Sequence, residues 1–280
     1  MDQPHLYSKY KEMQTLDNIH VVKTYLNLIR WDGGDTESVL DVGCGEGYTT
    51  LQVLLPQLPE NCRKVVGSDI SNKMVEFARK ASAGNPRVKF RQMDIGKEIK
   101  WNVTEKFDHV FSFYCLHWVP AQRKAFENIF NLLKPGGDML VSLLITAPIF
   151  QVYENISKNI RWAPYFIKES VSPYHHSKKA DEEVKTILQD VGFESCKCIV
   201  EDKQYTFSNW NVLKHSIIAV NPTIPLLSST DRIKYTEDFI EEVKNIYGYD
   251  LTVASNNNNG IPVNYKLLIV YARKPKNMKS

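Results

Sequence analysis

Cysteine is scarce in this chain, and its spacing excludes most of its structural uses. The five cysteines stand at positions 44, 62, 115, 196 and 198 among 280 residues. An odd number with no C-x-x-C pair fits neither a complete disulfide framework nor a zinc knuckle. We therefore expect the protein to work in a reducing compartment, the cytoplasm.

Two further absences concern charge and hydropathy. With 35 basic and 32 acidic residues the formal net charge is only +3, which is small for a protein that neutralises nucleic-acid phosphates. The longest apolar stretch, around 139–145, is much shorter than a membrane span, and the first residues lack the apolar core of a secretion signal. These features argue against nucleic acid as a partner and against stable membrane insertion.

What the chain does contain is a regular alternation of apolar runs and helical patterns. Five strands are predicted, at 38–42, 64–70, 87–93, 107–114 and 139–145, with a turn at Pro135-Gly136-Gly137 before the fifth. Apolar spacing and capping residues predict helices from 49, from 71 with Ser71 as the cap, and over 121–133. Such alternation is typical of right-handed βαβ units around a parallel sheet, where ligands bind at the carboxyl ends of the strands.

The sequence on either side of this core reads differently. Before it, apolar spacing predicts a helix over 17–30 with Asp17 as its cap, after a polar segment. After it, the aromatic-rich stretch 148–174 is expected to form an insertion that covers the strand ends as a lid. The remaining elements are a helix over 181–191 ending at Gly192, strands over 196–207 and 263–272, a helical segment over 231–247 and a polar loop at 256–260. We expect the two closing strands to form an antiparallel hairpin at the sheet edge.

The turn Asp41-Val-Gly-Cys-Gly-Glu-Gly47 lies where the first strand becomes a helix. Glycines there let the backbone approach a ligand, although glycine in such a turn can also serve sterics alone. The spacing G-x-G-x-G differs from the dinucleotide fingerprint, and Asp41, two positions before Gly43, would repel a pyrophosphate. A cationic or zwitterionic ligand beside Gly43, Cys44 and Gly45 suits the turn better.

Two more carboxylates end the next two strands. Asp69, followed by Ile70, can accept hydrogen bonds from both hydroxyls of a ribose. Asp94 can accept one from an adenine amino group while Ile95 covers the ring. Each could singly be a loop-capping aspartate. Together with Asp41 they describe an adenosine with a positively charged amino-acid tail, which is S-adenosylmethionine.

Six segments carry a resemblance to a known family: DVGCGEG, VVGSDIS, QMDI, FDHVFSFYCLHWV, NLLKPGG and YARK. They resemble class I S-adenosylmethionine-dependent methyltransferases and, more narrowly, the insect juvenile hormone acid O-methyltransferases. FSFYCLHW is the most specific segment, and its Ser112 joins the predicted cofactor-binding residues. The resemblance covers nearly the whole chain. It implies an α/β, Rossmann-like, seven-stranded sheet with helices on both faces, a helical substrate-covering insertion, no metal, and methyl transfer to a sesquiterpenoid carboxylate.

The residues themselves also favour a carboxylate as the methyl acceptor. A carboxylic acid with a pKa of about 4 to 5 is ionised at cytosolic pH, so its methylation needs positioning and desolvation rather than a general base. The chain has no H-x-E pair, no further paired carboxylates, no Asp/Asp/Asn metal cluster and no D/N-P-P-Y/F motif. These absences agree with a reaction that needs neither a base nor a metal.

Candidate catalytic residues follow the fourth strand. The Trp118 indole N–H is expected to donate to the acceptor carboxylate beside His117, with Gln14 of the polar amino-terminal segment as a second donor. Alternatively, Trp118 is only a lid over the cofactor and His117 a satisfied loop histidine. Rings of the insertion are the predicted wall of an apolar tunnel, or else ordinary core: Phe150, Tyr153, Trp162 and Phe166.

The resemblance implies an enzyme that methylates a lipophilic acid, juvenile hormone acid or farnesoic acid. One domain, 1–280, is expected, with an N-terminal cap and helix (1–37), a cofactor-binding core (38–146), a lid (147–195) and closing strands with inserted helices (196–280). One alternative is another small carboxylate such as aconitate, which would need arginines in the lid, where Arg161 is the only one. A non-catalytic terpenoid carrier would have no reason to keep three cofactor carboxylates. A monomer and a homodimer both stay open.

Overall fold

A seven-stranded sheet forms the centre of the computed structural model, which describes residues 3–31, 36–99, 105–248 and 260–277. In chain order the strands are β1 (Glu37–Val42), β2 (Cys62–Asp69), β3 (Val88–Gln92), β4 (Phe107–Phe113), β5 (Leu133–Thr146), β6 (Glu194–Phe207) and β7 (Ile261–Arg273). Their order across the sheet is β3-β2-β1-β4-β5-β7-β6. The first five strands pair in parallel, and β7 runs antiparallel between β5 and β6. The predicted α/β sheet with an antiparallel hairpin at its edge is confirmed.

Helices connect these strands. They are α1 (Pro4–Tyr10), α2 (Glu12–Tyr25), α3 (Asn72–Ala81), α4 (Gln122–Leu132), α5 (Pro148–Ser157), α6 (Ala180–Val191), α7 (Trp210–Val220) and α8 (Ser229–Tyr247), with a π-helical segment at Thr49–Leu54. The Ser71 hydroxyl accepts from the Met74 N–H at the start of α3, and Gly192 ends α6 with a φ of 106°, both as predicted. No helix within the described residues is long and apolar enough to span a membrane.

The central strands β1, β4 and β5 are buried on both faces, because their side chains point alternately to the two sides of the sheet and helices cover each side. Val39 and Phe111 join a core that contains side chains of α2, α3, α5, α7 and α8. Their neighbours Leu40 and Val110 join a second core with α4 and α6. The helices therefore cover both faces, as the family resemblance implied, and leave the carboxyl ends of the parallel strands for a binding site.

Two predicted elements differ in the structure, and a third lies almost entirely outside the described residues. The first long helix begins at Glu12, so the prediction of Asp17 as its cap is wrong: Asp17 is buried and accepts hydrogen bonds from the hydroxyls of Tyr114 and Tyr265. The glycine pair 136–137, expected in a turn before the fifth strand, lies inside β5, because the Gly136 N–H donates to the carbonyl group of residue 274 at 3.1 Å. The predicted polar loop at 256–260 lies outside the described residues, apart from its last position.

Candidate active site

The glycine turn after β1 brings the backbone to the carboxyl edge of the sheet. Gly43 has a φ of +75°, and a Cβ there would lie 2.3 Å from the Cβ of Cys115, so a side chain cannot be accommodated without rearrangement. The Gly43 N–H donates to the Ser68 carbonyl oxygen at 2.7 Å. The Gly45 N–H donates to Asp69 Oδ2 at 3.0 Å. The end of β2 thus holds the turn in place.

A cleft of about 510 Å³ opens beside this turn, where the parallel strands end. Five predicted cofactor-binding residues contribute to its walls: Gly43, Asp69, Ile70, Asp94 and Ile95. Its volume lies within the range of about 300 to 1,000 Å³ that small-molecule and cofactor pockets occupy. The strand ends therefore form one continuous space of suitable size for a cofactor.

The two aspartates of the cleft are held by short local hydrogen bonds. Asp69 Oδ1 accepts from the Ser71 N–H at 2.9 Å, and Asp94 Oδ1 accepts from the Gly96 N–H at 3.0 Å. Lys97 Nζ lies 3.2 Å from Asp94 Oδ2. Because each carboxylate oxygen offers two lone pairs, both side chains can still accept hydrogen bonds from a ligand.

Four other predicted cofactor residues lie outside the described cleft wall: Gly45 of the turn, and Asp41, Cys44 and Ser112, whose side chains are buried. Burial raises the pKa of Asp41 to about 7, and the Thr50 hydroxyl donates to its Oδ2 at 2.5 Å. The Ser112 hydroxyl donates to the Val42 carbonyl oxygen at 2.8 Å. These contacts support the turn, and direct contact between the three side chains and the cofactor stays a prediction.

A second cavity, of about 70 Å³, lies next to the cleft and shares Tyr114, Trp118 and Val220 with it. We call it the acceptor cavity. Four predicted residues line it: Gln14, His117, Trp118 and Phe150. Within the described chain, its lining contains no lysine, arginine, aspartate or glutamate. Tyr114 and Trp118 mark where a group bound in the cleft would meet a molecule bound in the cavity.

His117 is an uncharged hydrogen-bond donor at the wall of the acceptor cavity. Its Nδ1 accepts from the Leu144 N–H at 3.3 Å, which places the proton of the neutral ring on Nε2. Burial lowers the pKa of His117 to about 3, so the ring carries no charge at neutral pH. His117 can therefore offer an N–H group without adding a positive charge.

Gln14 and Trp118 line the same cavity from different elements. Gln14 lies inside α2, so its prediction as part of a polar segment before the first helix is wrong. Its Oε1 is buried without a hydrogen-bond partner among the described residues, so this oxygen can accept a hydrogen bond from a bound molecule. The Trp118 ring centroid lies 5.0 Å from that of His117. The structure thus brings the three predicted catalytic residues to one cavity, and their roles stay predictions.

A buried carboxylate anchors two further wall residues. Asp17 Oδ2 accepts from the hydroxyls of Tyr114 and Tyr265, the latter at 2.7 Å, and Lys203 Nζ lies 3.2 Å from Oδ1. Tyr114 has a φ of 54°, which is uncommon for a bulky residue. This network, which the sequence analysis missed, ties α2 to the end of β4 and to β6 and β7.

The first helix covers the glycine turn, which the sequence analysis also missed. A Cβ at Gly45 would lie 3.9 Å from the Tyr7 ring, and Tyr7 lines the acceptor cavity as well. Lys11, between α1 and α2, forms a buried ion pair with Glu46 and lies 3.7 Å from the ring centroid of Tyr48. A charged residue inside the glycine turn, Glu46, is the one local signal of this contact.

Comparison with known proteins identifies the family. A model described as a methyltransferase domain matches residues 34–202. Juvenile hormone acid O-methyltransferase of Bombyx mori is 38% identical, with 98% of each chain covered. The Drosophila melanogaster protein of the same name is 32% identical over 98% of this chain and 93% of its own. The chain belongs to the juvenile hormone acid O-methyltransferase family. Among solved structures, the YcgJ protein of Bacillus subtilis has a TM-score of 0.58 at 18% identity, covers 92% of this chain with 99% of its own, and shares the fold.

The enzyme is an S-adenosylmethionine-dependent O-methyltransferase, and its cleft fits that cofactor. Asp69 and Asp94 supply acceptors suited to hydroxyl and amino groups, while Ile70 and Ile95 supply apolar surface beside them. The glycine turn leaves room for the backbone to approach a ligand. We would place the adenosine along the two aspartates and the methionine end beside the turn.

The insertion after β5 forms α5 and short 3₁₀ turns. Phe150 lines the acceptor cavity. Trp162, 1% exposed, instead donates its indole N–H to Asp238 of α8 at 2.8 Å, and Tyr153 stacks on Phe239 at 5.7 Å between ring centroids. Phe166 is 36% exposed. These last three predicted wall residues lie outside the described cavity lining, and their contact with substrate stays a prediction.

Proposed function

We propose that the enzyme methylates the carboxylate of a sesquiterpenoid acid, juvenile hormone acid or farnesoic acid, in juvenile hormone biosynthesis. The observation that carries this proposal is the acceptor cavity, whose wall joins apolar side chains with uncharged polar ones. An isoprenoid chain gains about 25 cal/mol for each Å² of apolar surface buried there. The names of the relatives from Bombyx mori and Drosophila melanogaster support the same acceptor.

In this proposal the chain's own residues position the acid and exclude water. S-adenosylmethionine supplies the methyl group when bound. Because an acid with a pKa of about 4 to 5 is already ionised, no residue has to remove a proton. The Trp118 and His117 N–H groups and the Gln14 amide would hold the carboxylate oxygens by hydrogen bonds. Uncharged donors suit this task, since a close arginine would form a strong bidentate pair and reduce the reactivity of the carboxylate.

The charge around the lid argues against a hydrophilic polyacid such as aconitate. The single lid arginine, Arg161, donates to Asp231 at 3.0 Å, and its side chain is 49% exposed at the outer surface. A molecule with several carboxylates would leave its charges unpaired in a cavity without basic side chains. Burial of unpaired charge is strongly unfavourable. The described wall therefore favours an acid with one carboxylate and an apolar body.

The acceptor cavity is smaller than the proposed substrate. Its volume of about 70 Å³ is below the roughly 150 Å³ of a cavity that holds benzene, and a sesquiterpenoid is larger still. Substrate binding therefore requires the surrounding elements to separate. The wall is shared by α2, α5, α7 and β7, so we expect these elements to move apart when the acid enters.

Transfer of labelled methyl groups to a panel of acids tests the proposal. The panel contains juvenile hormone acid, farnesoic acid, a shorter isoprenoid acid and aconitate, each at several concentrations. We expect kcat/KM for the sesquiterpenoid acids to exceed that for aconitate at least about a hundredfold, because burial contributes about 0.8 kcal/mol per CH₂ group. Aconitate methylation at an equal or higher kcat/KM would refute the lipophilic acceptor.

We also propose that the enzyme works in the cytoplasm as one domain of residues 1–280. The five free cysteines support a reducing location. The acceptor cavity takes residues from the cap, the core, the lid and the closing strands, which supports their assembly into one domain. Limited proteolysis tests the single domain, which should resist cleavage as a unit.

A further inference from the structure

Two histidines and a glutamate form a cluster at the outer side of the lid, apart from the active site. Glu154 lies in α5, and His175 and His176 lie in the turn before α6. One potential ligand atom from each residue lies within 4.8 Å of the other two. We propose that Glu154, His175 and His176 bind a divalent transition-metal ion of the zinc class.

The contacts within the cluster support this assignment. His176 Nε2 lies 2.6 Å from Glu154 Oε1, and the ring centroids of His175 and His176 are 4.6 Å apart. The Nδ1 atom of His175 is buried and has no hydrogen-bond partner in the described chain. A buried polar atom without a hydrogen-bond partner lowers the stability of the fold. An ion bound by this nitrogen would remove that destabilisation.

The backbone that carries the histidines is held in place before any ion binds. The His175 N–H donates to the Ser172 carbonyl oxygen at 3.0 Å, and the Ser172 hydroxyl donates to the Leu144 carbonyl oxygen at 2.9 Å. The Tyr174 hydroxyl donates to Gln122 Oε1 at 3.1 Å. The turn is therefore attached to β5 and α4, while the third ligand stands on the separate helix α5. An ion has to order mainly side chains, which lowers the entropic cost of binding.

The donor set indicates which ion would bind. Two imidazoles and one carboxylate are typical zinc ligands and leave a fourth position for water, whereas Ca²⁺ and Mg²⁺ prefer oxygen ligands throughout. Zinc requires ligand distances of about 2.0 to 2.2 Å, so the three atoms must draw closer together. The His176 side chain is 70% exposed, so little packing opposes its movement toward an ion, which makes this contraction feasible.

Metal binding at this site would also restrain the acceptor cavity. Phe150, one helical turn before Glu154, lines that cavity, and its ring meets the His175 ring edge-on at 5.3 Å between centroids. An ion shared by Glu154 and His175 would fix α5 against the turn. We therefore expect zinc to raise the melting temperature, because a ligand that binds only the folded state stabilises it.

Calorimetric titration of the metal-depleted full-length protein with ZnCl₂ alone tests the proposal. We expect wild-type protein to bind a zinc ion at this site, and His176→Ala or Glu154→Gln to weaken that binding at least about a hundredfold. His20→Ala is the matched control, because His20 Nε2 lies 3.0 Å from Glu201 Oε2 in a similar pair that no second histidine joins in the described chain. This control should bind zinc like wild type.

The proposal would be overturned if wild-type protein bound no zinc, or if His176→Ala bound it as tightly as wild type. Co²⁺ serves as a spectroscopic probe, because nitrogen and oxygen ligands should give visible bands without thiolate charge transfer. A thiolate band lost on substitution of a cysteine would assign the metal to a thiol instead. Because His176 is largely exposed, His176→Ala should fold, which circular dichroism checks.

Discussion

The cofactor cleft and the acceptor cavity are built in opposite ways. In the cleft, Asp69 accepts hydrogen bonds from residues 24 positions before it and two positions after it. In the acceptor cavity, the hydrogen bond between Tyr265 and Asp17 spans 248 positions. The first site depends on strand ends and turns, whose geometry is local. The second depends on how distant elements meet, so its shape can vary while the cleft remains the same.

The largest effect is expected from replacing Asp69, a central residue of the cleft. Asp69→Ala should raise the Kd for S-adenosylmethionine about 10² to 10⁴-fold, because two charge-assisted hydrogen bonds of about 1.5 to 3 kcal/mol each are lost. Calorimetry measures this Kd. Asp202→Ala is the control, since Asp202 is paired with Lys266 at the surface with its side chain 81% exposed. An unchanged Kd in folded Asp69→Ala would reject the ribose assignment.

The next effect concerns the acceptor cavity alone. Gln14→Ala or Trp118→Phe should lower kcat/KM for a sesquiterpenoid acid about ten- to a hundredfold, since each donor contributes about 1 to 3 kcal/mol. The Kd for the cofactor should change little. Wild-type turnover in both variants would show that Gln14 and Trp118 do not hold the acceptor carboxylate. A loss of cofactor binding in proportion to the loss of activity would indicate that Trp118 covers the cofactor. His117 would then be the next candidate for contact with the acceptor.

Two matched substitutions, at Tyr114 and Tyr265, test the boundary between the cleft and the acceptor cavity. Tyr114→Phe and Tyr265→Phe each remove one hydroxyl from Asp17, so each should lower the free energy of unfolding by about 1 kcal/mol. Only Tyr114 of the pair lines both spaces. We expect kcat to fall about tenfold for Tyr114→Phe, equal to about 1.4 kcal/mol, and to stay nearly constant for Tyr265→Phe. Equal losses of kcat would mean that the network acts only through stability.

The smallest expected effect concerns Asp41, which is buried beside the glycine turn. The pKa of Asp41 is raised from 3.8 to about 7, so between these values the folded protein holds a proton that the unfolded chain has lost. The free energy of unfolding should therefore fall as pH rises through this range, by at most about 1.4 kcal/mol per pH unit from this group. The free energy of unfolding of Asp41→Asn, measured by urea unfolding, should fall less steeply than that of wild type between about pH 4 and 7. Identical slopes would contradict a buried, protonated Asp41.

The contrast also explains what the sequence could predict. The sheet, the Ser71 cap and the positions of Asp69 and Asp94 at the cleft follow from apolar spacing and turn residues, which are local signals. The start of α2 could not be predicted from such signals, because Lys11 offers no side-chain cap at the N-terminus of this helix. The role of Asp17 depends on tyrosines far away in the chain, which no local pattern reveals.

The lid also shows that local sequence patterns do not reveal tertiary contacts. Its aromatic composition predicts burial, and Phe150 and Trp162 are both buried. Composition does not tell which ring meets the cavity and which meets α8, because that choice depends on the tertiary contact between Trp162 and Asp238. The substrate roles of the lid rings and the domain division stay predictions.

The central claim is that the acceptor arrives as a carboxylate and is held by uncharged donors, without a protein base. The pH dependence of kcat with a sesquiterpenoid acid, at saturating cofactor, tests it most directly. We predict a plateau from about pH 6 upward, because the acid, with a pKa of about 4 to 5, is ionised there and His117, with its pKa lowered to about 3, stays neutral. A steep rise in kcat through about pH 8 to 9 would contradict the account, since the acid is already ionised there and the rise would show that a protein group must lose a proton before methyl transfer.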